Sequence, residues 1–503
     1  MTPGTLSSAL EILAWSWLAG ADAVILRDPL LMRVCRETLP ELPVHASTQA
    51  GAAGPARART LRELGCRRVI LARELSLVEI RRIRDACPGL ELEAFVLGAL
   101  CFGVSGRCLL GEAVGGRGGN HGACLQACRL PFTDDAGRPL GHLLSMKDLD
   151  AVRRIPELVE AGVMSLKIEG RLKPPAWVGC ASAWVSRAAA RCREGPLPPG
   201  EHAAFDRELS VLFSRPRTDA WLDGKQDATV LTCPDAPGHR GLEIPFRVRR
   251  LDGRAFAALR APVPLSVRDG LLVRRAARGA GEEAVSIHEL RDGLGRFQGT
   301  VDAGEEALVL LDEPASIRRI AVHSCQALEA AYRPDPGLLA VLARAGVPAP
   351  RTRTLALEPG RLVLGLESGR FRWIARAEVS SSPSRGEGFG PAQAARLFPG
   401  ASVDAAAGLY VPPAQLKTAR REAREGFERA LAGEAAALVA RLTAAASREE
   451  PRWMEDDATL LARGPAAVSR VTGLPEGPIR TRGGDRFVLR PAPRGTVVER
   501  EEP

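Results

Sequence analysis

Hydrophobic and polar positions over the first 200 residues alternate between helical spacing and short apolar runs. The runs that are typical of strands are Ala21–Leu26, Pro43–Ala46, Arg68–Ala72, Leu90–Leu97 and Met164–Ile168. The segments with helical spacing are Ser7–Leu18, Pro29–Leu39, Pro55–Leu64, Ser76–Ala86, Lys147–Glu160 and Pro175–Arg193. Strands that alternate with helices predict parallel βαβ units, because parallel neighbours need a crossover connection.

Five predicted strands fall short of the eight that a closed (β/α)8 barrel needs. We therefore predict an α/β fold in which residues 1–200 form a TIM-like barrel that is incomplete at its N-terminus. In such barrels the chemistry lies at the C-terminal ends of the strands. These ends are His45–Gln49, Arg73–Glu74, Gly98–Cys101 and Glu169–Lys173, and we expect them on one face.

The rest of the chain changes character. Residues 205–325 carry short apolar runs separated by turn residues such as Asp292-Gly293, which predicts a small β-barrel. Residues 350–445 predict a mixed α/β domain with a strand at Arg361–Leu366 and an Arg- and Glu-rich helix at Pro412–Gly433. Residues 447–503 are rich in Pro, Gly, Arg and Glu, so we expect a mostly irregular tail.

Four of the eleven cysteines lie within residues 98–132, a segment rich in glycine. They are Cys101, Cys108, Cys124 and Cys128, with the spacing C-x6-C-x15-C-x3-C. Thiolates on such a loop suit an iron–sulfur cluster, because the loop must fold tightly around a compact group. Zinc is the second candidate, although its usual sites pair two short C-x2-C elements. Four buried apolar thiols or two disulfides are the alternatives without a metal.

Composition adds a modest electrostatic signal. The formal net charge is +9 over 503 residues, which favours an anionic partner such as RNA. The first 26 residues lack a basic leading segment and contain Glu11 and Asp22, so we predict neither a signal peptide nor a membrane span. We therefore expect a cytoplasmic protein with no membrane partner.

Several sequence blocks resemble peptidase family U-32, the family of collagenase-like proteases. The run EAFVLGALCFGVSGRCLL at 93–110 is similar to its signature, and GACLQACRLPF at 122–132 is similar to its later cysteine element. HASTQ at 45–49, SMKDLDAV at 145–152 and AGVMSLKIEGRLK at 161–173 match in the same order. LFSRPRTDAWLDGK at 212–225, PGHRG at 237–241 and LYVPPAQLKTARREA at 409–423 resemble segments of longer members that act on ribosomal RNA.

The resemblance implies an oxidative function more than proteolysis. Bacterial relatives are hydroxylation factors for a cytidine of large-subunit ribosomal RNA or the wobble uridine of tRNA, and others act in ubiquinone synthesis. Several hold a 4Fe–4S cluster, and some depend on prephenate as the oxygen donor. By matching position, Cys101, Cys108 and Cys124 are implied as cluster ligands, with Cys128 as the fourth and Cys180 as its alternative. The family's N-terminal strands are missing here, so we expect a start site upstream or a degenerate copy.

Charged side chains near the strand ends supply the remaining candidates. Arg107, Arg171 and Lys173 would bind a carboxylate donor or an RNA phosphate, with Gln49 as a further substrate contact. Glu169 would transfer protons, with Lys167 and His45 as further catalytic candidates. A salt bridge from Glu169 to Arg171 or Lys173 is the structural alternative.

Three functions therefore stay open from the sequence. The first is an iron–sulfur RNA hydroxylation factor, with ribosomal RNA preferred to tRNA because of the blocks after the predicted barrel. An accessory Fe–S protein or a family paralogue would be a further partner. The second is a collagenase-like peptidase, although the chain lacks the motifs G-x-S-x-G and H-E-x-x-H. The third is a non-catalytic, truncated family member.

Overall fold

The computed structural model describes most of the chain. The described residues are 3–235, 237–275, 282–311, 316–333, 351–358, 361–379, 381–383, 398, 401–405, 409–448, 466–481, 483–492 and 495–501.

Helices and strands alternate over the first 235 residues. The helices are α1 (Pro3–Leu18), α2 (Pro29–Thr38), α3 (Pro55–Glu63), α4 (Leu77–Ala86), α5 (Leu110–Gly115), α6 (Ile155–Glu160), α7 (Pro175–Ala190), α8 (Pro199–Leu212) and α9 (Ala228–Leu231). The strands are β1 (Val24–Leu26), β2 (Val44–Ala46), β3 (Cys66–Ile70), β4 (Glu91–Ala99), β5 (Phe132–Thr133), β6 (Pro139–Gly141), β7 (Asp148–Asp150), β8 (Val163–Glu169) and β9 (Arg217–Thr218).

Strands dominate the remainder. They are β10 (Leu242–Ile244), β11 (Phe246–Leu251), β12 (Arg254–Arg260), β13 (Leu265–Ser266), β14 (Gly270–Arg275), β15 (Glu282–Ser286), β16 (Leu290–Asp292), β17 (Thr300–Val301), β18 (Glu306–Leu310), β19 (Ile317–Ser324), β20 (Arg351–Glu358), β21 (Arg361–Ser368), β22 (Phe371–Glu378), β23 (Ser382–Pro383), β24 (Ser402–Ala405), β25 (Leu409–Tyr410), β26 (Ala467–Ser469), β27 (Gly477–Thr481), β28 (Arg486–Ala492) and β29 (Gly495–Arg500). The later helices are α10 (Gln326–Ala331) and α11 (Pro413–Arg448).

The chain divides into two compact units, and neither is continuous in sequence. Unit 1 comprises Met1–Ala46, Glu63–Arg67 and Leu342–Asp456. Unit 2 comprises Ser47–Arg62, Arg68–Val341 and Asp457–Pro503. The domain boundaries predicted at 200, 325 and 447 do not coincide with the boundaries of these two units. The predicted domains stay predictions.

Unit 2 contains the parallel strands that carry the candidate chemistry. Arg68–Ile70 of β3 pairs in parallel with β4, and β8 also pairs in parallel with β4. β7 joins β4 in the antiparallel sense and leads on to β9. β4 is buried along nearly its whole length, as expected for a strand covered on both faces. The mixed α/β class is thus confirmed, while the described strands of this sheet do not close into a barrel.

The predicted helix Lys147–Glu160 is wrong over its first half. Asp148–Asp150 is strand β7, a 3-10 turn follows at Val152–Arg154, and only Ile155–Glu160 is α-helical. The Asp150 side chain accepts a hydrogen bond from the Val152 amide, which favours a turn at this point over a continuous helix. Leu149 and Val152 are both buried, so the apolar spacing that suggested a helix belongs to two different elements.

Strands dominate the described part of residues 237–333. The predicted β-rich region began at residue 205, whereas residues 205–212 belong to α8 and Ala228–Leu231 is α9. Two four-stranded antiparallel sheets have the orders β10-β19-β14-β15 and β11-β12-β18-β16. Phe256, Ala258 and Leu308 form a buried cluster between neighbouring strands. The strands therefore agree with the prediction, but the described part of these sheets shows no closed barrel.

In unit 1, α11 is longer than the sequence indicated. It continues through Gly433 to Arg448, and its buried residues recur every three or four positions. This stripe packs on α1, α2 and β22. Among the described residues, α11 is also the one helix long and apolar enough to span a membrane by length and composition alone. The packed stripe is the pattern of an amphipathic core helix, so the length is weak evidence for a span.

The predicted irregular tail at 447–503 is wrong where the structure describes it. Residues 466–481, 483–492 and 495–501 contain four strands of a six-stranded sheet, with the order β26-β29-β28-β27-β5-β6. Phe487, Leu489 and Val498 are buried in this sheet. β27 pairs with β5, which directly follows the cysteine segment, so the end of the chain belongs to the same unit as the candidate site.

Candidate functional site

The four clustered cysteines follow the C-terminal end of β4 and converge. Burial raises the pKa of Cys108 to about 12, and negative charge on Cys128, Cys101 and Cys124 acts in the same direction. Burial raises the pKa of Cys128 to about 11, and Cys101 and Cys124 add to this shift. A charge shifts a neighbour's pKa only when the two groups are close. The segment therefore gathers four thiols, of which Cys101 and Cys124 are exposed.

Two glycines permit the backbone to make this approach. Gly98 has φ of +107°, and a Cβ there would lie 2.3 Å from the Glu169 carbonyl oxygen. Gly106 has φ of +81°, and its Cβ would lie 2.4 Å from the Gln49 carbonyl oxygen. Both positions require glycine, because a side chain would meet backbone and also favour the opposite sign of φ. β4 is thereby held close to β8, and the cysteine segment is held close to the turn at Gln49.

Arg73 connects the cysteines to the predicted catalytic residue Glu169. Its Nη1 lies 3.2 Å from Cys101 Sγ, and its Nη2 donates to Glu169 Oε2 at 2.6 Å. The guanidinium also lies over the Phe95 ring, 4.2 Å from the centroid. Burial lowers the pKa of Arg73, but the charges on Cys101 and Glu169 outweigh this, so the pKa is raised. Glu169 thus pairs with an arginine that the sequence interpretation did not assign, and not with Arg171 or Lys173.

A second charged group lies along the same strands. Glu93 on β4 is nearly buried and accepts hydrogen bonds from Lys167 and Ser165 on β8, at 2.9 and 3.0 Å. Arg68 contacts Glu93 at 3.4 Å and Glu91 at 2.7 Å. Burial would raise the pKa of Glu93, but its bonds to Lys167 and Ser165 and the charge of Arg68 lower it. Lys167, predicted to be catalytic, is therefore held in an ion pair.

Lys173 is buried, contrary to the prediction that it would contact a substrate phosphate. Its side chain is 5% exposed and lies 3.0 Å from Asp148. The ammonium nitrogen lies 3.4 Å from the centroid of the Phe213 ring. Burial lowers the pKa of Lys173 to about 8, with Arg215 acting in the same direction and Asp148 opposing. Arg215 shares Asp148 at 2.7 Å, so two buried cations compete for one carboxylate.

Arg129 lies between the cysteines and this buried pair. It follows Cys128 directly, and it donates to Ser145 Oγ at 2.8 Å and to the Met146 carbonyl at 2.7 Å. Burial and Arg215 lower the pKa of Arg129, while Cys128 and Asp148 act against that shift. Two positive charges therefore lie near the thiols, one at Arg73 and one at Arg129.

Three of the other predicted site residues lie on or beside the cysteine segment, and His45 does not belong to the same unit. Arg171 donates to the Gly122 carbonyl at 3.1 Å, and the Gln49 carbonyl adjoins Gly106, so both border the cysteine segment. Arg107 is exposed on that segment. His45 lies in unit 1, on β2 opposite Ile25, and its catalytic role stays a prediction.

Cys180 belongs to a different cluster. Its thiol is buried on α7, and its pKa is raised to about 12 by burial and by Glu208. Tyr332 donates to the same Glu208 carboxylate at 2.6 Å. The four clustered cysteines are not among the groups that shift the pKa of Cys180. The fourth cluster ligand stays a prediction, with Cys128 on the cysteine segment and Cys180 on α7 as the two candidates.

The C-terminal strands are hydrogen-bonded to the cysteine segment. The Val104 amide donates to the Val468 carbonyl at 2.7 Å, and the Leu109 amide donates to the Ala466 carbonyl at 2.8 Å. Ser469 Oγ donates to the Phe102 carbonyl at 2.6 Å in a buried position. The sequence interpretation missed this contribution. The alternating run RFVL at 486–489 and the apolar pair at 497–498 were the signals available for it.

The donor set fits an iron–sulfur group by its chemistry. Four sulfur ligands are available, and metal binding would convert the thiols with raised pKa to thiolates. Within the described ranges, no three His, Cys, Asp or Glu side chains are arranged to hold a single metal ion.

Comparison with known proteins identifies the family. The sequence profile of peptidase family U32 matches residues 1–232. An uncharacterized protease of Methanocaldococcus jannaschii is 40% identical over 302 residues, which are 57% of this chain and 73% of that protein. This chain belongs to peptidase family U32. The resemblance seen in the sequence blocks is thereby confirmed.

Two Escherichia coli proteins are also similar to this U32 chain. The 23S rRNA 5-hydroxycytidine C2501 synthase is 41% identical over 178 residues, which are 34% of this chain and 27% of that protein. The tRNA hydroxylation protein P is 36% identical over 205 residues, which are 31% of this chain and 45% of that protein. The U32 chain thus spans less than half the length of these two relatives.

Proposed function

We propose that this U32 protein holds a 4Fe–4S cluster on Cys101, Cys108, Cys124 and Cys128 and acts in RNA hydroxylation. The convergence of the four thiols beside Arg73 and Glu169 is the observation that carries the proposal. The names of the two E. coli relatives supply the substrate class. Strands β3, β4 and β8, which are mutually parallel through β4, are consistent with part of a TIM-like barrel around this site.

Ribosomal RNA is the preferred substrate, with tRNA as the alternative. The relative with the higher identity of the two is named for 23S rRNA, and the net charge of +9 suits a polyanion. Arg107 and Arg171 border the cysteine segment and would contact phosphate or a carboxylate donor such as prephenate. We place the reaction in the cytoplasm, with an accessory Fe–S protein or a family paralogue as an additional partner.

The cluster would supply electron transfer when bound. The chain's own residues would then hold the reacting groups in position and transfer protons. Arg73 holds the Glu169 carboxylate near Cys101, so that Glu169 can exchange a proton at this edge of the site. Lys173, with a pKa of about 8, exists in both protonation states near neutral pH and can serve as a buried proton store beside Asp148.

A collagenase-like peptidase is the second candidate, because the relative with the widest coverage among those compared is named a protease. A cysteine peptidase needs a thiolate, which requires a lowered pKa. The pKa values of Cys108 and Cys128 are instead raised to about 12 and about 11. These two thiols are therefore poor nucleophiles, which argues against their use in a cysteine peptidase.

Anaerobic reconstitution with iron and sulfide tests the cluster. We expect about four iron and about four sulfide per chain with a visible charge-transfer band, and a loss of both in Cys108→Ser. Cys192→Ser is the matched control, because Cys192 lies beyond α7 and outside the cysteine segment. A folded protein without bound iron, or equal iron in Cys108→Ser, would sink the cluster assignment.

Nucleoside analysis tests the RNA function. A deletion strain should lack one hydroxylated nucleoside, and the wild-type chain should restore it while Cys108→Ser should not. Separate digestion of ribosomal RNA and tRNA assigns the substrate. Unchanged nucleosides in the deletion strain, together with cleavage of a collagen-derived peptide by the purified protein, would favour the peptidase instead.

A further inference from the structure

Arg73 has an arrangement that fold stability alone does not explain. Its side chain is 9% exposed, yet its Nε is buried without a hydrogen-bond partner among the described residues. An unsatisfied buried donor opposes folding by about 1–3 kcal/mol. The other two nitrogens of the same guanidinium each make a hydrogen bond, one to Cys101 Sγ and one to Glu169 Oε2. The head group is thus directed at the sulfur and the carboxylate, while its Nε donor stays without a partner among the described residues.

Neighbouring groups fix this direction. The Phe95 ring lies under the guanidinium, 4.2 Å from its carbon. The Arg73 amide donates to Ser105 Oγ at 3.4 Å, and the Ser105 amide and hydroxyl both donate to the buried Glu74 carboxylate at 2.9 Å. The segment 73–74 is therefore tied to the cysteine segment from both sides. Arg73 is held at Cys101 before any ligand arrives.

We propose that Arg73 is a positioning residue that donates a hydrogen bond to the Cys101 sulfur and sets the reduction potential of the bound cluster. This inference rests on the proposed function, because it needs the cluster. Hydrogen bonds to ligand sulfurs and nearby charge are two of the factors that tune such potentials. A fixed positive charge stabilises the more negative, reduced state, so Arg73 raises the potential. Its second bond keeps Glu169 beside the same sulfur.

Arg68 offers a matched comparison. It is an arginine of β3, the strand that leads into Arg73, and it is 26% exposed. Its partners are Glu91 at 2.7 Å and Glu93 at 3.4 Å, and none of its described contacts is with a cysteine. Arg68→Gln therefore removes a charge of the same kind from the same strand region without removing a bond to sulfur.

The test is a redox titration of reconstituted wild type, Arg73→Gln, Arg73→Lys and Arg68→Gln. The visible spectrum monitors the reduction of the cluster, and the iron content of each sample is measured. We expect Arg73→Gln to shift the midpoint potential to more negative values. Arg73→Lys should lie between Arg73→Gln and wild type, because it keeps the charge but cannot bind both Cys101 and Glu169. Arg68→Gln should match wild type.

Each other result has a defined meaning. Equal potentials in wild type and Arg73→Gln overturn the inference and leave the cluster in place. A shift as large in Arg68→Gln also overturns it, because a general charge effect then explains the data. If Arg73→Gln cannot hold the cluster, Arg73→Lys decides, and a wild-type potential there rejects the role. If wild type itself binds no iron, the proposed function fails, and the inference fails with it.

Discussion

Lys173 shows how burial changes the role of a single residue. Its ordinary pKa of 10.5 falls to about 8, because burial against Phe213 and Trp177 disfavours the charged ammonium group more than Asp148 stabilises it. Below pH 8 the folded protein must hold a charge that the unfolded chain holds more easily. This opposes folding by about 3 kcal/mol, and the penalty disappears as the pH rises through the range from 8 to 10.5.

We therefore expect wild type to gain stability relative to Lys173→Met as the pH increases from about 8 to about 10. Methionine keeps the apolar contacts to the rings and cannot titrate, while Asp148 keeps its bond to Arg215. Denaturant unfolding of both proteins at four pH values measures the difference. A difference that is constant with pH would show that Lys173 titrates normally in the folded state.

Gly98 gives a steric prediction at the base of the site. Gly98→Ala would place a Cβ 2.3 Å from the Glu169 carbonyl oxygen, so we expect a loss of several kcal/mol in the free energy of unfolding, or failure to fold. Gly89→Ala is the control, because Gly89 also has positive φ, +83°, but no atom within 4 Å of the added Cβ. Its cost should be about 1 kcal/mol from backbone strain alone. Similar losses in thermal unfolding for the two variants would contradict the close approach of β4 and β8.

Helix α11 provides a test at the scale of one element. The helix passes through Gly433, where an added Cβ meets nothing within 4 Å, and Gly433 has no positive φ. Gly433→Ala should therefore raise the free energy of unfolding by about 1 kcal/mol, because alanine loses less backbone entropy in a helix.

Gly426→Ala on the same helix is the matched variant. Its Cβ would lie 2.5 Å from the Trp373 ring, so we expect destabilisation despite the better helix propensity. Denaturant unfolding of both variants separates the two effects. A helix that ended at Gly433, as the sequence spacing suggested, would instead make Gly433→Ala destabilising.

The C-terminal strands give the second element-scale prediction. Ser469→Ala removes the buried bond to the Phe102 carbonyl and leaves it without that donor, at a cost of about 1–3 kcal/mol. The amides of Val104 and Leu109 should then exchange hydrogen faster, because their acceptors lie on the same strand segment. Hydrogen exchange of peptides covering 102–110 measures this. Ser182→Ala, on the exposed face of α7, should change neither quantity.

Local signals predicted local structure well. The helix predicted at Ser76–Ala86 occurs as α4, and β4 and β8 occur within about two residues of their predicted bounds. The failures are non-local. Asp148–Asp150 is a strand because β4 and β9 lie beside it, and Ala467–Ser469 is a strand because β29 pairs with it. Neither partner can be inferred from the few residues that make up each strand.

The same distinction explains what could be predicted of the candidate site. Cysteine number and spacing indicated the four thiols, because that information is contained in one segment. Arg73 lay at the end of a predicted strand and Arg129 in a sequence block, but their contacts with Cys101 and Ser145 depend on tertiary structure. Lys173 was expected at a substrate phosphate, and only the position of Phe213 and Asp148 shows it to be buried.

At the scale of the whole molecule, the net charge of +9 predicts how RNA binding responds to salt. If arginines contact phosphates, affinity should fall at least about tenfold between about 50 mM and about 200 mM salt. Arg107→Gln removes an exposed cation of the cysteine segment, so it should reduce the slope of log affinity against log salt by about one. Fluorescence anisotropy with a ribosomal RNA fragment measures both slopes. Binding without salt dependence would argue against recognition through phosphates.

The bond between Ser469 and Phe102 joins residues 367 positions apart. During synthesis the segment with the four cysteines leaves the ribosome long before the strands that pack on it. During that interval the segment lacks the hydrogen bonds that these strands provide. The proposed cluster would therefore load most easily before the strands pack, although Cys101 and Cys124 stay exposed afterwards.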